Sequence, residues 1–119
     1  MKTDPISNVA SASAPDRRRH ARYRFSVPIT VHSSGHQAVR GMSLEISESG
    51  MSAMIGDVLQ VGDTVELEPV AGGRVSALVR RHSGKIYGFE FRNLTPAQSR
   101  RIVESCELLP LYDSKTLNI

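Results

Sequence analysis

Residues 75–91 read VSALVRRHSGKIYGFEF, and this stretch decides the fold. Val75, Ala77 and Val79 alternate with Ser76, Leu78 and Arg80. His82-Ser83-Gly84-Lys85 makes a turn, after which Tyr87, Phe89 and Phe91 resume the same period on one face. Side chains two apart share a face of a strand, whereas a helix repeats every three to four residues. Two alternating runs joined by a short glycine-containing turn are a β-hairpin.

The same period continues upstream. Val65 and Leu67 alternate with Glu66 and Glu68, and Ala71-Gly72-Gly73 is a hairpin signal. Met51, Ala53 and Ile55 alternate after the breaker Glu48-Ser49-Gly50. Met42, Leu44 and Ile46 define one face of an earlier strand, with Ser43, Glu45 and Ser47 on the other. The first strand carries Val27, Ile29 and Val31 opposite Pro28, Thr30 and His32, and Ser33-Ser34-Gly35 turns it back. Six short strands with tight turns predict an all-β, antiparallel barrel or sandwich. Downstream the period lengthens. Thr95-Pro96 is a helix start, and Ile102, Cys106 and Leu109 fall on one helical side, so a helix over about 95–109 closes the sheet.

Composition narrows the function classes. The chain has 119 residues, enough for one domain, expected over 17–109 between tails at 1–16 and 110–119. No apolar run reaches the roughly 18 residues of a membrane span, and the first 20 residues lack the apolar core of a secretory signal. A cytoplasmic protein, monomer or weak dimer, without membrane insertion is the expectation. The single cysteine, Cys106, excludes an internal disulfide and a multi-cysteine metal site. His32, His36 and His82 show no metal-ligand spacing, and Met42, Met51 and Met54 read as core filler. Ser47 and Ser49 lack a nearby His or Asp pattern, so no catalytic residue and no enzyme is expected.

The charge is uneven. Net charge is +3, yet residues 1–24 hold six cations and two acids, and the rest hold nine cations and ten acids. The excess lies in an arm ending Arg17-Arg18-Arg19-His20-Ala21-Arg22, just before the first strand. Arginine presents a planar fork of donors suited to phosphate and to guanine edges. A second patch, Glu45-Ile46-Ser47-Glu48-Ser49-Gly50, supplies a carboxylate, hydroxyls and a glycine that lets backbone approach a ligand. Arm and patch together suit a guanine nucleotide. Arginines would take phosphates and O6/N7, while the carboxylate and hydroxyl would take N1–H and N2–H₂. Arg80, outward on its strand, could supplement the arm; Arg81, Arg100 and Arg101 read as solvated.

With these residues in place, the chain resembles the PilZ domains, bacterial receptors for cyclic di-GMP. Their RxxxR element is matched by Arg18-Arg19-His20-Ala21-Arg22. Their (D/N)xSxxG element is matched by Glu45-Ile46-Ser47-Glu48-Ser49-Gly50 at serine and glycine. The resemblance spans about residues 17–105. It implies a six-stranded split-type barrel with a C-terminal helix, no catalysis and no cofactor beyond cyclic di-GMP as ligand. It also implies that Arg18 and Arg22 contact phosphate and guanine, and that Ser47 and Gly50 receive the base. Arg17, directly before the motif, stands where the family associates an arginine with an intercalated ligand dimer; Arg19 and His20 are supplementary.

Glu45 departs from the pattern. It is longer than Asp or Asn by one methylene and loses the short bond to backbone two residues on. Three classes therefore stand side by side: a cyclic di-GMP receptor signalling to an unidentified protein partner, a nucleotide-silent interaction module, and a non-specific nucleic-acid binder. The net negative barrel and its few aromatics argue against the third.

Overall fold

A computed structural model describes residues 21–56 and 59–110. Arg17, Arg18, Arg19 and His20, the predicted tail at 1–16 and the chain beyond Pro110 lie outside the described residues. Within them the elements are β1 (Tyr23–Arg24), β2 (Pro28–Ser33), β3 (Val39–Ile46), β4 (Gly50–Ile55), β5 (Thr64–Val70), β6 (Gly73–Ser83), β7 (Ile86–Arg92) and α1 (Pro96–Glu107).

The alternating runs pair antiparallel in the order β3-β2-β5-β6-β7-β4, and β4 returns to β3. Six strands thus close a barrel, the architecture expected from the period. The very short β1 is an addition, docked beside the end of β3. Inward side chains come from every barrel strand: Ile29 and Val31, Ile46, Ala53 and Ile55, Val65 and Leu67, Val75, Ala77 and Val79, then Tyr87, Phe89 and Phe91. Closure removes exposed sheet edges, and aliphatic side chains fill most of the interior beside Tyr87, Phe89 and Phe91.

Helix α1 begins as its sequence dictates. The Thr95 hydroxyl accepts from the Gln98 amide, and the Gln98 side chain accepts from the Thr95 amide. Its buried residues Ile102 and Cys106 join the barrel core. Burial, helped by Glu48 and Glu107, pushes the Cys106 thiol up to about 11. On the outer face of β2, β5 and β6, Arg74 bonds Glu68 and Glu66, and His32 bonds Glu68. The Arg74 guanidinium holds the Glu68 carboxyl below its ordinary value.

Two expectations fail on β3 and β4. Met42 and Met54 are exposed rather than core filler, and Ser43 is buried in their place. On β3 the cause is a bulge: Ser43 pairs with Ala53 and Glu45 with Ser52, leaving Leu44 as an extra residue, whereas on β4 Met54 is outward by regular alternation with Met51, Ala53 and Ile55 inward. One inserted residue reverses which face each side chain takes. Only the part of β3 after Leu44 keeps the expected orientation. No described helix is long and apolar enough to cross a membrane.

Candidate functional site

The root of the basic arm is fixed by backbone pairing. Tyr23 pairs with Ile46 and Arg24 with Glu45, and the Arg24 amide donates to the Pro110 carbonyl at 2.9 Å. Residues 25–27 are irregular, so their polar groups need other partners. The Phe25 amide donates to the Leu44 carbonyl, and the buried Ser43 hydroxyl accepts from the Val27 amide and donates to the Phe25 carbonyl. This anchoring sets Arg22 beside the end of β3.

There the Arg22 guanidinium donates to Glu45 Oε2 at 2.8 Å, with the side chains 23% and 13% exposed. The pair is therefore largely shielded from water. Among the described residues the other carboxylate oxygen, Oε1, is buried without a hydrogen-bond partner, and so is the hydroxyl of Ser52, which pairs with Glu45 across β3 and β4. Buried polar atoms are ordinarily satisfied, so two orphans on one wall mark an unfinished site.

The turn after β3 is held by its own serine. The Ser47 amide donates to the Gly50 carbonyl at 2.8 Å, and the Ser47 hydroxyl accepts from the Ser49 amide at 3.2 Å. A side chain at Gly50 would collide with the Phe89 carbonyl oxygen, so only glycine lets β4 start this close to β7. The serine and glycine of this motif thus have a structural task in addition to any contact with ligand.

A second bulge shapes the opposite wall. Val79 pairs with Phe89 and Arg81 with Gly88, so Arg80 is the extra residue. Arg80 Nε lies 3.3 Å from Glu90 Oε1. Arg81 lies over Gly88, where an added Cβ would stand 3.0 Å from its Nε. Arg81 has no acidic partner among the described residues. Between the walls is a cleft of about 330 Å³, lined by Arg22, Glu45, Ser47, Gly50, Ser52, Arg80, Arg81 and Glu90 among others. Three guanidinium groups face two carboxylates, so the described cleft carries one surplus positive charge.

A family model described as the PilZ domain matches residues 16–108, which is most of the sequence. The chain belongs to the PilZ domain family. Solved structures agree in fold. The PilZ domain of YcgR from Escherichia coli, solved with c-di-GMP, superposes with a TM-score of 0.62 at 22% identity, covering 77% of this chain and 92% of that one. The inhibitor of motility MotI/DgrA from Bacillus subtilis gives 0.61 at 19%, covering 87% of this chain but 52% of its own. The PilZ domain of CeSA from a cellulose-synthesizing bacterium gives 0.59 at 17%, covering 72% and 94%. No curated protein matches in sequence.

In this PilZ domain the structure brings Arg22, Glu45, Ser47, Gly50 and Arg80 to one cleft. Arg17, Arg18, Arg19 and His20 lie outside the described residues. The sequence reading missed Arg81, Ser52 and Glu90. A doublet of arginines interrupting the alternation at the end of β6 is the signal that could have found Arg81. Ser52 gives none, because its role depends on the register across from Glu45. Among the described residues no cluster of three His, Cys, Asp or Glu is placed to hold a metal ion.

Proposed function

We propose that this PilZ domain is a non-catalytic, cytoplasmic receptor for cyclic di-GMP, in which the arginine arm closes over ligand held on the barrel and the altered surface is read by a protein partner. The observation that carries this reading is Arg81, a cation without an acidic partner among the described residues, lining the same cleft as Glu45, whose Oε1 is likewise without a partner among them. A doubly anionic ligand meets the surplus charge, and a guanine N1–H and N2–H₂ suit Glu45 Oε1 and the Ser52 hydroxyl. Arg22 and Arg81 serve the phosphates. Arg18 is four residues from Arg22, a reach of at most about 14 Å when extended, so it can join the same ligand. The PilZ domain of YcgR solved with c-di-GMP has the same fold.

One observation favours a second reading, the nucleotide-silent module. Glu45 already neutralises Arg22 within the cleft, so ligand must share or displace that contact. Calorimetric titration of the full chain with cyclic di-GMP, GTP and a DNA oligomer separates the readings. Saturable binding of the cyclic dinucleotide with little response to GTP or DNA supports the receptor. A flat trace at micromolar ligand supports the silent module, and equal responses to all three indicate generic electrostatics.

A further inference from the structure

The outer face of β3, β4 and β7 carries an apolar row that the barrel core does not use. Met42 pairs with Met54, and Met54 pairs with Ile86, so the three side chains stand side by side across three strands. They are 42%, 46% and 44% exposed. Neighbouring strands lie about 4.8 Å apart, so the row is continuous. It runs through Ile86 into a second cleft of about 920 Å³, whose apolar lining also includes Leu44 and Val61. Val61 is 61% exposed. Contiguous exposed apolar surface rimmed by polar groups marks an interaction site.

The rim states what belongs there. Arg24 and Arg81 line the cleft, and Lys85 precedes Ile86 in the β6–β7 turn. None of the three has an acidic partner among the described residues. We infer that this groove docks a protein segment of alternating acidic and apolar residues. A second copy of the chain would set like charges against each other across a two-fold contact. A bilayer is flat on this scale and does not fill a concave groove. An extended or helical segment does both, apolar side chains entering the groove and carboxylates meeting the rim.

The inference deepens the proposed function by giving its protein partner a place and a chemistry. The groove and the nucleotide cleft share Glu45, Ser52, Arg80, Arg81 and Gly88 as lining. On β4 the outward residue at one end of this wall is Gly50, then Ser52, then Met54, each step being about 7 Å. A ligand that moves Arg81 therefore alters the rim of the groove.

The test is a nuclear magnetic resonance titration of the full chain with a synthetic peptide alternating Glu with Leu. Parallel arms use its Lys-for-Glu counterpart, phosphatidylglycerol vesicles, and dilution of the chain alone. We expect shifts at Met42, Met54 and Ile86 with the acidic peptide. Affinity should fall about tenfold or more with the basic counterpart and in Met54→Lys or Lys85→Glu. Those exposed variants should keep the thermal midpoint and nucleotide binding of the parent. Cyclic di-GMP should change peptide affinity by about fivefold or more. Equal binding of both peptides, response to vesicles alone, concentration-dependent shifts without peptide, or no peptide binding overturns the docking surface. Peptide binding that is unaffected by a ligand the chain fails to bind removes the receptor reading and leaves the groove.

Discussion

The double substitution Arg22→Ala with Glu45→Gln probes the cleft more sharply than either change alone. On the proposed reading Arg22→Ala removes a charge-assisted contact to phosphate, worth about 1.5–3 kcal/mol. It also uncovers the Glu45 carboxylate, whose ion-pair partner among the described residues is Arg22, beside an incoming dianion. At an effective dielectric of about 20, unit charges roughly 6 Å apart repel by about 3 kcal/mol, and salt and Arg81 reduce this to about 1–2. The single variant should therefore lose about 2.5–5 kcal/mol, roughly 70- to 4,000-fold in affinity. Glu45→Gln in that background removes the repulsion and should recover about 5- to 30-fold. Calorimetry with cyclic di-GMP on the parent, both singles and the double completes the cycle. The folded state offers a control: losing Arg22 should cost about 1–2 kcal/mol, between exposed and fully buried pairs. If the double variant binds no better than Arg22→Ala, Glu45 is not coupled to the ligand through that arginine. If Arg101→Ala loses as much as Arg22→Ala, the cleft is not the binding site.

Gly88→Ala should leave the thermal midpoint nearly unchanged yet weaken cyclic di-GMP several-fold, because the three atoms nearest its Cβ all belong to the flexible Arg81 side chain. Gly50→Ala should instead destabilise the domain by about 3 kcal/mol or more in a denaturant melt, because its Cβ meets the Phe89 backbone. Glu45→Asp withdraws the carboxylate from Arg22 by one methylene and should tighten nucleotide binding measured by calorimetry; no gain would show that the length at position 45 is immaterial. Cys106, with its thiol at about 11, should resist alkylation at pH 8 until the chain is unfolded, as followed by mass spectrometry.

Alternation along the chain was enough to read the barrel, because a strand buried on one face must repeat every second residue. Thr95-Pro96 was enough to read where α1 starts, because capping chemistry is local. What stayed hidden was non-local. Tyr23–Arg24 is too short to show a period, and its pairing with Ile46 and Glu45 is visible only in the assembled sheet. The burial of Ser43 and the exposure of Met42 follow from Leu44 being inserted, and leucine is no breaker, whereas Met54 is outward by the regular alternation of β4, with Ala53 and Ile55 inward. The motif residues Glu45, Ser47 and Gly50 were legible by type and spacing, but the Arg22–Glu45 contact was not.

The two bulges explain how one barrel serves both core and cleft. Before Leu44, Ser43 faces inward against Ala53; regular alternation would then turn Glu45 inward and Ile46 outward. The inserted residue reverses this, so Ile46 fills the core and Glu45 meets the arm. On β6, Val79 faces inward, and without the insertion Arg81 would follow it into the apolar interior. Arg80 absorbs the extra step, and Arg81 comes out over Gly88. A buried, unpaired guanidinium would cost several kcal/mol, so the bulge is as much a condition of folding as of recognition. Each wall of the cleft therefore depends on one inserted residue, Leu44 on β3 and Arg80 on β6. Bulges recur where a strand must re-aim a side chain beside a site. Here they turn an alternation that would otherwise serve only packing into one that presents a carboxylate on one wall and a guanidinium on the other.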